Sequence, residues 1–332
     1  MSQTAAPQNV MPPALEISSL SRSYGERAAL TDVSFTIERG EIFGLLGPNG
    51  GGKTTLFRIL STLLPPSSGT ARIFGEDVVS AAANVRRRIG VVFQANNLDR
   101  KLTAYENLRH QGNFYGLSGA PLDRRITELL ERVGLSDRRD DLAETLSGGQ
   151  RRRIEIAKGL IHAPSLLLLD EPSTGLDPGA RRSLWDYLIS LQKSDGVTIL
   201  LTTHILEEAD QCERLAILDN GKLVATGTPE ELKREIGGDV IHIDAQSPAR
   251  LIDLIRERFS IVAQQINSRL RIEQEQGHQF IPRLVEAFPG EIQSIAMSRP
   301  TLEDVFLRRT GHTLWEDQGV KPAPASKRGG HK

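Results

Sequence analysis

Cysteine is nearly absent from this chain of 332 residues, which contains a single one. One thiol excludes an internal disulfide, and such low cysteine use suits a reducing compartment. Cys212 lies in the acidic stretch EEADQCE (Glu207–Glu213), whose carboxylates disfavour the thiolate form. The sequence therefore argues against a reactive thiol.

An excess of charge of either sign is also missing. The 41 Lys and Arg residues and the 42 Asp and Glu residues leave a formal net charge of −1. No general affinity for nucleic acid or for an anionic membrane follows from this balance, and we expect no nucleic-acid partner. The length suggests two domains, with ample chain to bury a core.

Long apolar runs are the third absence. No stretch approaches the roughly 20 apolar residues that cross a bilayer as a helix, and no apolar signal segment follows the start. We therefore expect that this chain alone forms no translocation path. Any transport must then use a separate membrane protein.

The sequence does contain a glycine-rich loop, GPNGGGKTT, over Gly47–Thr55. Its first eight residues fit the pattern G-x-x-x-x-G-K-[ST], and the apolar runs on either side predict the strand and the helix that this pattern requires. Glycine lets backbone N–H groups converge on phosphates, and the helix N-terminus adds a partial positive charge. Lys53 is predicted to pair with the β- and γ-phosphates, and the Thr54 hydroxyl to bind Mg²⁺. The alternative is a plain glycine turn between a strand and a helix.

Two carboxylates follow a second apolar run. The residues LLLL (Leu166–Leu169) predict a buried parallel strand, and Asp170 and Glu171 come at its end. Ligands of open α/β sheets bind at the carboxyl ends of the strands. Asp170 is therefore predicted to hold the water shell of Mg²⁺, and Glu171 to orient or deprotonate the attacking water. The alternative is a loop acid pair near a helix that starts at about Pro178.

A third motif, LSGGQ (Leu146–Gln150), precedes a stretch of helical periodicity over 151–161. Ser147 is a good N-cap residue, which explains it without any ligand. However, Arg151–Arg153 lie in or near the first turn, where the helix dipole disfavours cations. Either an anion binds there or the three arginines are solvated. The motif cannot reach a phosphate held by Lys53 of the same chain without folding back over it, so the sequence also permits a partner molecule to supply it.

Together these motifs resemble those of the nucleotide-binding subunits of ATP-binding-cassette (ABC) transporters, over roughly residues 15 to 236. The matching elements are the Walker A loop (Gly47–Thr54), the Q-loop (Gln94), the signature (Leu146–Gln150), the Walker B strand (Leu166–Glu171), the D-loop (Ser173–Asp177) and the switch histidine (His204). The resemblance implies an α/β P-loop NTPase fold with a mixed sheet core, an antiparallel β part and a helical insert. It also implies ATP and Mg²⁺ as ligands and ATP hydrolysis as the activity. One departure is Gly51, where the family more often has a small side chain; the glycine adds loop flexibility and should not stop phosphate binding.

The resemblance also gives roles to residues that are uninformative alone. Tyr24 matches the aromatic residue that stacks on adenine, and His204 matches a contact to the γ-phosphate. Gln94 matches a residue that reaches metal or water and senses the membrane partner. Without the resemblance, Tyr24 reads as a half-buried strand end and His204 as a satisfied polar residue.

The implied site has four sets of residues. The catalytic residues are Glu171 and His204, and the metal ligands are Thr54, Gln94 and Asp170. The ATP contacts within one chain are Tyr24, Gly47, Pro48, Asn49, Gly50, Gly51, Gly52, Lys53, Thr54, Thr55 and Gln94. The ATP contacts from a second copy are Ser147, Gly148, Gly149, Gln150 and Asp177.

A second unit is predicted after residue 238. Strands and helices follow the order βαββαβ, that of a ferredoxin-like split unit, and SIVAQQI from Ser260 is predicted as one of these strands. A last helix starts at Thr301, with Asp304 completing a capping box and with Leu302, Val305 and Phe306 on one face. The segment PTLEDVFLRRTG (Pro300–Gly311) resembles the C-terminal segment of the drug-resistance and polysaccharide branch of ABC exporters, such as the daunorubicin-resistance ATPases. The alternative is a small packing domain with no ligand. The predicted organisation is a disordered segment 1–13, an ABC nucleotide-binding domain 14–237 with a helical insert at about 95–160, an α+β domain 238–312 and a disordered basic tail 313–332.

The favoured hypothesis is the ATP-hydrolysing subunit of an ABC exporter. It would sit on the cytoplasmic face of the membrane, bound to an integral membrane permease that exports a drug, lipid or polysaccharide-like cargo. Two copies would face each other head to tail with C₂ symmetry, with one ATP between each phosphate loop and the other chain's signature helix. The alternatives are an importer ATPase, whose extra C-terminal domain is usually β-rich, and a soluble ABC ATPase acting on ribosomes or DNA. The sequence does not identify the cargo, since selectivity would lie mainly in the membrane subunit.

Overall fold

The computed structural model of the chain describes residues 11–266 and 268–314. Its strands are β1 (Leu15–Tyr24), β2 (Arg27–Ile37), β3 (Ile42–Leu46), β4 (Ser68–Ile73), β5 (Glu76–Asp77), β6 (Ile89–Val92), β7 (Leu166–Asp170), β8 (Thr198–Thr203), β9 (Arg214–Asp219), β10 (Lys222–Gly227), β11 (Asp239–Ala245), β12 (Gln264–Ile266), β13 (Arg269–Gln274) and β14 (Ile292–Ser298). Its helices are α1 (Lys53–Leu60), α2 (Ala82–Arg88), α3 (Ala104–Phe114), α4 (Gly119–Arg132), α5 (Gly148–Gly159), α6 (Pro178–Asp195), α7 (Leu206–Ala209), α8 (Pro229–Arg234), α9 (Pro248–Phe259), α10 (Gly277–Ala287) and α11 (Leu302–Thr310), with a 3₁₀ turn at Ser136–Arg138.

The predictions of terminal disorder fall largely outside the described residues, which leave out 1–10 and 315–332. Residues 11–13 have no regular structure, and the Pro12 carbonyl accepts a hydrogen bond from Arg39 Nε at 2.8 Å. At the other end Leu314 is buried. None of the described helices is both long and apolar enough to cross a membrane.

The central sheet has the strand order β10-β9-β3-β8-β7-β6. Its strands from β9 to β6 pair in parallel, and β10 is antiparallel at the edge. β3, β7 and β8 are buried along their whole length, which is why their sequences are continuous apolar runs rather than alternating ones. Because parallel strands end at the same edge of a sheet, the loops after β3, β8, β7 and β6 meet there.

A second, antiparallel sheet of order β2-β1-β4-β5 lies over one face of this core. The rings of Phe35 in β2 and Phe43 in β3 stack with their centroids 5.3 Å apart. Helix α1 buries Leu56 and Phe57 in the same apolar cluster. The mixed sheet and the antiparallel part confirm the predicted fold class.

The helical insert is made of α3, α4 and α5, which pack around an apolar cluster on the other face. Helix α3 begins at a capping box between Thr103 and Glu106. Gly112 lets α3 approach α4 closely, since a Cβ at this position would lie 2.3 Å from Leu122 Cδ1. Helices α3 and α4 thereby form a compact pair that precedes α5 in the chain.

The C-terminal unit forms an antiparallel sheet of order β12-β13-β11-β14, covered by α9 and α10. The sequence order βαββαβ with this strand order is that of a ferredoxin-like unit. The strand expected from Ser260 is shorter than predicted and covers only β12. Ser260 adopts a φ of 57° and ends α9 in a left-handed conformation, which an extended strand cannot include.

The last helix, α11, ties the two units together. Its residues Leu302, Val305 and Phe306 are buried in a cluster with residues of α7, α8 and β10 of the nucleotide-binding unit. Arg271 of β13 donates from Nε to Asp304 Oδ1 of α11 at 2.9 Å. The helix therefore packs on one unit while it is ion-paired to the other.

The single cysteine is part of the core beneath β3. Cys212 is buried, and its Sγ lies so close to the backbone that a Cβ on Gly44 would be 2.8 Å from it. The thiol donates to the Glu208 carbonyl at 3.4 Å, and burial raises its pKa. These surroundings agree with the sequence argument against a reactive thiol.

Candidate active site

The glycine loop between β3 and α1 runs close to neighbouring backbone. A Cβ on Gly47 would lie 2.2 Å from the Leu218 carbonyl oxygen, so only glycine fits. Gly52 has a φ of 106°, which disfavours any other residue. Gly51 is held from both sides, donating to the Pro48 carbonyl and accepting from Gly221 N. The expected flexibility at Gly51 is thus limited by two backbone hydrogen bonds.

Lys53 begins helix α1 and is buried, with 4 % of its surface exposed. Its Nζ donates to the carbonyl oxygens of Gly47 at 2.6 Å and Pro48 at 3.0 Å. Burial lowers the pKa of the ammonium, while Glu171 and Asp170 act in the opposite direction. The lysine is therefore a desolvated cation folded back on its own loop.

Asp170 and Glu171 sit at the end of β7, as predicted, and a threonine joins them. The strand register places Asp170 beside Thr202 of β8. The Thr202 hydroxyl donates to Asp170 Oδ1 at 2.6 Å and accepts from the backbone N–H of Glu171 at 2.9 Å. Burial raises the pKa of Asp170 against the effect of this hydrogen bond. Thr202 was not predicted as a site residue; its signal is the polar residue that ends a parallel strand next to the acids.

The carboxylate of Glu171 is where the predicted residues converge. Its Oε2 accepts from Gln94 Nε2 at 2.9 Å and from the Thr174 hydroxyl at 3.2 Å. Its Oε1 lies 3.1 Å from His204 Nδ1 and 3.9 Å from Lys53 Nζ. Side chains from four separate segments of the chain thus surround one carboxylate.

A cavity of about 460 Å³ opens beside this cluster. Its walls include Tyr24 at the rim and Thr54 and Thr55 at the start of α1. Two cations not predicted from the sequence, Arg27 and Arg58, line it as well. A cavity with lysine and arginine on its walls and a helix N-terminus at its base suits a polyphosphate.

The donor set near the cavity fits Mg²⁺. The Asp170 carboxylate, the Thr54 hydroxyl and the Gln94 side-chain amide offer oxygen atoms, the ligands that Mg²⁺ prefers. Within the described ranges no group of three or more His, Cys, Asp and Glu side chains could hold a metal ion. Protein sites with one or two carboxylates bind Mg²⁺ together with the phosphates of a nucleotide.

The signature residues form a second cluster. Ser147 caps α5, its hydroxyl accepting from Gln150 N at 3.2 Å while Gln150 Oε1 accepts from Ser147 N at 2.8 Å. Asp177 caps α6 by accepting from Ala180 N at 2.9 Å. The two caps are adjacent, since a Cβ on Gly149 would lie 2.9 Å from Ala180 Cβ. Among the described residues that line the nucleotide-sized cavity, none belongs to 146–150 or to 177.

The three arginines of α5 all donate hydrogen bonds to backbone carbonyl oxygens, and Arg152 is buried, so the expectation that all three are solvated is wrong. Arg151 donates to the Leu146 carbonyl, and Arg153 donates to the Val133 carbonyl at 2.8 Å. Arg152 is buried and donates to three other backbone carbonyls. Arg151 and Arg153 remain partly exposed, whereas the Arg152 guanidinium is removed from water and bound by backbone oxygens of its own chain.

Known proteins place this architecture in one family. The sequence profile described as ABC transporter matches residues 30–174, and that of the C-terminal domain of DrrA1-3-like ATP-binding proteins matches residues 227–310. The daunorubicin/doxorubicin resistance ATP-binding protein DrrA of Streptomyces peucetius is 40% identical over 320 residues, covering 93% of this chain and 96% of DrrA. Nod factor export ATP-binding protein I of Ralstonia nicotianae is 40% identical over 314 residues, covering 91% and 95%.

A solved structure extends the comparison to three dimensions. A dimeric ATP-binding cassette in a post-hydrolysis state, bound to ADP and Pi, superposes with a TM-score of 0.59 at 30% identity, over 64% of this chain and 98% of that chain. Both the sequence likeness along nearly the whole length and the cassette fold therefore lead to one conclusion. This chain belongs to the ABC transporter family, as an ATP-binding protein with a DrrA-like C-terminal domain.

Proposed function

We propose that this chain binds Mg²⁺ and ATP between two of its copies, hydrolyses the ATP, and thereby drives a separate membrane permease that exports cargo. As a member of its family it is the ATP-hydrolysing subunit of an exporter. The observation that carries the finer proposal is the convergence of Lys53, Gln94 and His204 on the Glu171 carboxylate at the edge of the central sheet.

Phosphate binding is assigned to the loop 47–55. The loop brings backbone N–H groups and the N-terminus of α1 to the cavity, where the triphosphate would lie. Lys53 Nζ donates to two carbonyl oxygens of its own loop and lies 3.9 Å from the Glu171 carboxylate. A phosphate oxygen would replace these neutral acceptors with an anionic one, so that each hydrogen bond from the ammonium would also be an ion pair.

Hydrolysis is assigned to Glu171. Gln94 and Thr174 donate hydrogen bonds to one oxygen of its carboxylate, and His204 Nδ1 lies 3.1 Å from the other. A carboxylate fixed in this way can accept a proton from a water that attacks the γ-phosphate, and His204 and Lys53 lie where the phosphate charge needs partners. Asp170, Thr54 and Gln94 are the residues that would hold Mg²⁺, which would supply positive charge to offset that of the phosphates.

The second half of the site is assigned to another copy of the chain. Ser147 and Gly148 at the α5 N-terminus, with Asp177 beside them, form a cluster apart from the cavity of their own chain. A solved relative with the same cassette fold is a dimer bound to ADP and Pi. A head-to-tail pair with C₂ symmetry would place each signature helix N-terminus against the partner's nucleotide, where its dipole favours an anion.

The permease and the cytoplasmic-side location are inferred from the relatives. Their names refer to daunorubicin/doxorubicin resistance and to Nod factor export. We infer export of a drug, lipid or polysaccharide-like molecule through a permease bound to this chain. The ferredoxin-like order of the C-terminal sheet favours this over an importer ATPase, whose extra domain is usually β-rich.

The substitution Glu171→Gln tests the assignment. The amide keeps the shape of the side chain but cannot accept the proton, so we expect ATP binding to persist while turnover falls at least about 100-fold. Dimers formed with ATP should also persist in this variant. Lys53→Ala is the contrasting control, because it should weaken ATP binding itself. Near wild-type turnover of the Glu171→Gln protein would rule this residue out as the base.

A further inference from the structure

We propose that Arg152 is a positioning residue, which fixes Glu171 and Gln94 of its own chain and connects them to the signature helix α5. This rests on the proposed role of Glu171 as the base. The sequence alone had left open whether this arginine binds an anion or is solvated.

The guanidinium of Arg152 clamps the backbone on both sides of Glu171. Its Nη2 donates to the Asp170 carbonyl at 3.0 Å and its Nε to the Pro172 carbonyl at 2.8 Å. Glu171 itself has a φ of 44°, a conformation that residues other than glycine rarely adopt. Such a backbone persists only where its surroundings hold it, and the two hydrogen bonds supply that hold.

The same guanidinium also reaches the Q-loop. Arg152 Nη1 donates to the carbonyl of Phe93 at 2.7 Å, directly before Gln94, whose amide binds Glu171. Glu155, one turn further along α5, accepts from Arg152 Nη1 at 2.9 Å and from the backbone N–H of Asn97 at 2.7 Å. Helix α5 therefore holds the segment 93–97 at both ends.

The contacts require an arginine. Arg152 is 6 % exposed and Glu155 is 6 % exposed, so the pair is removed from water. Three guanidinium nitrogens in one plane serve three carbonyls and a carboxylate, and a lysine ammonium cannot reproduce this fork.

The position of Arg152 on α5 connects Glu171 to the signature residues of the same chain. It lies on the same rigid helix as Ser147 and Gly148, which are assigned to the nucleotide of the other copy. A movement of α5 on engaging that nucleotide would therefore shift the backbone of Glu171 and Gln94 in the helix's own chain. In this way, occupancy of one site in the dimer would set the geometry of the base in the other.

The substitution Arg152→Lys tests this inference against a purely structural role. We expect ATP affinity to stay within about twofold while kcat falls about 10- to 100-fold, since small displacements of a catalytic group have effects of this size. In a Glu171→Gln background the same substitution should change single-turnover hydrolysis less than about twofold, because the group it positions no longer acts as base. Arg153→Lys is the matched control: Arg153 donates to the Val133 carbonyl within the insert, away from Glu171, and its variant should keep full turnover.

Two further readouts keep the test decisive. Glu155→Gln weakens the contact to the Arg152 guanidinium without removing the arginine. It should lower kcat in the wild-type background but not in the Glu171→Gln background. This variant remains informative even if Arg152→Lys folds poorly. An equal fall of turnover in both backgrounds, or unchanged kcat in the folded Arg152→Lys protein, would overturn the inference. Wild-type turnover of Glu171→Gln alone would instead overturn the base assignment and, with it, this proposal.

Discussion

At the residue scale, the active site keeps two opposite charges away from water. Asp170 is 5 % exposed and Lys53 4 % exposed, and burial raises the pKa of the first and lowers that of the second. Each charge has partial compensation, Asp170 from the Thr202 hydroxyl and Lys53 from two carbonyls. Buried charges held for a ligand cost stability in the free protein.

We expect Asp170→Asn to abolish Mg²⁺-dependent hydrolysis without lowering the free energy of unfolding. The amide oxygen can still accept from Thr202, and removal of the buried charge should raise the stability by up to about 2 kcal/mol. Urea unfolding of the nucleotide-free protein measures this. A loss of stability would mean that the carboxylate is favourable where it lies.

The difference in unfolding free energy between Asp170→Asn and the wild type should depend on pH with a definite sign. Because the folded-state pKa of Asp170 is raised, its contribution to stability is fully present below the ordinary Asp pKa of about 3.9 and is lost as pH rises through the folded value. The stability advantage of Asp170→Asn should therefore grow with pH across that window and then level off.

The placement of Lys53, Asp170 and Glu171 at the ends of α1 and β7 was predictable from the sequence, because a motif fixes it. The contacts of Thr202 and Arg152 were not predictable. Thr202 contacts both Asp170 and Glu171 because the register of β7 and β8 places it beside them. Arg152 contacts the backbone at residues 93, 170 and 172 because α5 packs next to these segments. Neither the register nor this packing can be read from local spacing.

At the scale of elements, the junction of α5 and α6 sets different demands on neighbouring glycines. A Cβ on Gly149 would meet Ala180 Cβ at 2.9 Å, whereas a Cβ on Gly148 would meet nothing closer than Leu176 Cδ2 at 4.0 Å. Gly149 is thus needed for helix packing, and Gly148 is exposed and free of that constraint. A large residue at Gly149 tests packing as much as nucleotide contact.

The matched pair Gly148→Leu and Gly149→Leu separates the two effects. Gly148→Leu should leave the unfolding free energy equal or higher by up to about 1 kcal/mol, since glycine is a poor helix residue, while turnover falls at least about tenfold. Gly149→Leu should lower the free energy by about 1–3 kcal/mol through overpacking. Both should keep monomer affinity for ATP. Full turnover in the Gly148→Leu protein would contradict a close contact of this motif with nucleotide.

Helices and strands were predictable where their burial or capping leaves a recognisable pattern of residues in the sequence. The continuous apolar runs of β3 and β7 and the capping box of α11 were recognised in the sequence. The strand after Ser260 was overextended, because residues 261–263 are irregular after the left-handed turn. The apolar face of α11 was predicted, but its contact with α7 and α8 depends on partners far along the chain.

At the scale of the whole molecule, the C-terminal unit is placed next to the switch histidine. Helix α7 starts two residues after His204, and α11 packs against it. On α7 itself, the buried Glu208 accepts from Thr203 Oγ1 at 2.7 Å and from the Ser173 hydroxyl. The D-loop, the segment ending in the switch histidine and the C-terminal helix thus form one packed region.

The proposed head-to-tail dimer makes a prediction for mixtures of two variants. Lys53→Ala chains and Gly148→Leu chains should each be inactive, because every composite site of either homodimer carries a defect. In the mixed dimer one site carries both defects and the other none, so some ATPase activity should return on mixing. Purified chains shown to be monomeric with ATP bound, yet hydrolysing at the full rate, would refute the shared site.

The burial of Cys212 next to Gly44 has a practical consequence for labelling experiments on this protein. Since the chain has no other sulfhydryl, a cysteine introduced on the surface would be the sole target for a fluorophore or a crosslinker. The native group would react only when the core opens, so its rate of modification would report global unfolding. Distances between two copies, or between a copy and its permease, can therefore be recorded without first removing a native thiol.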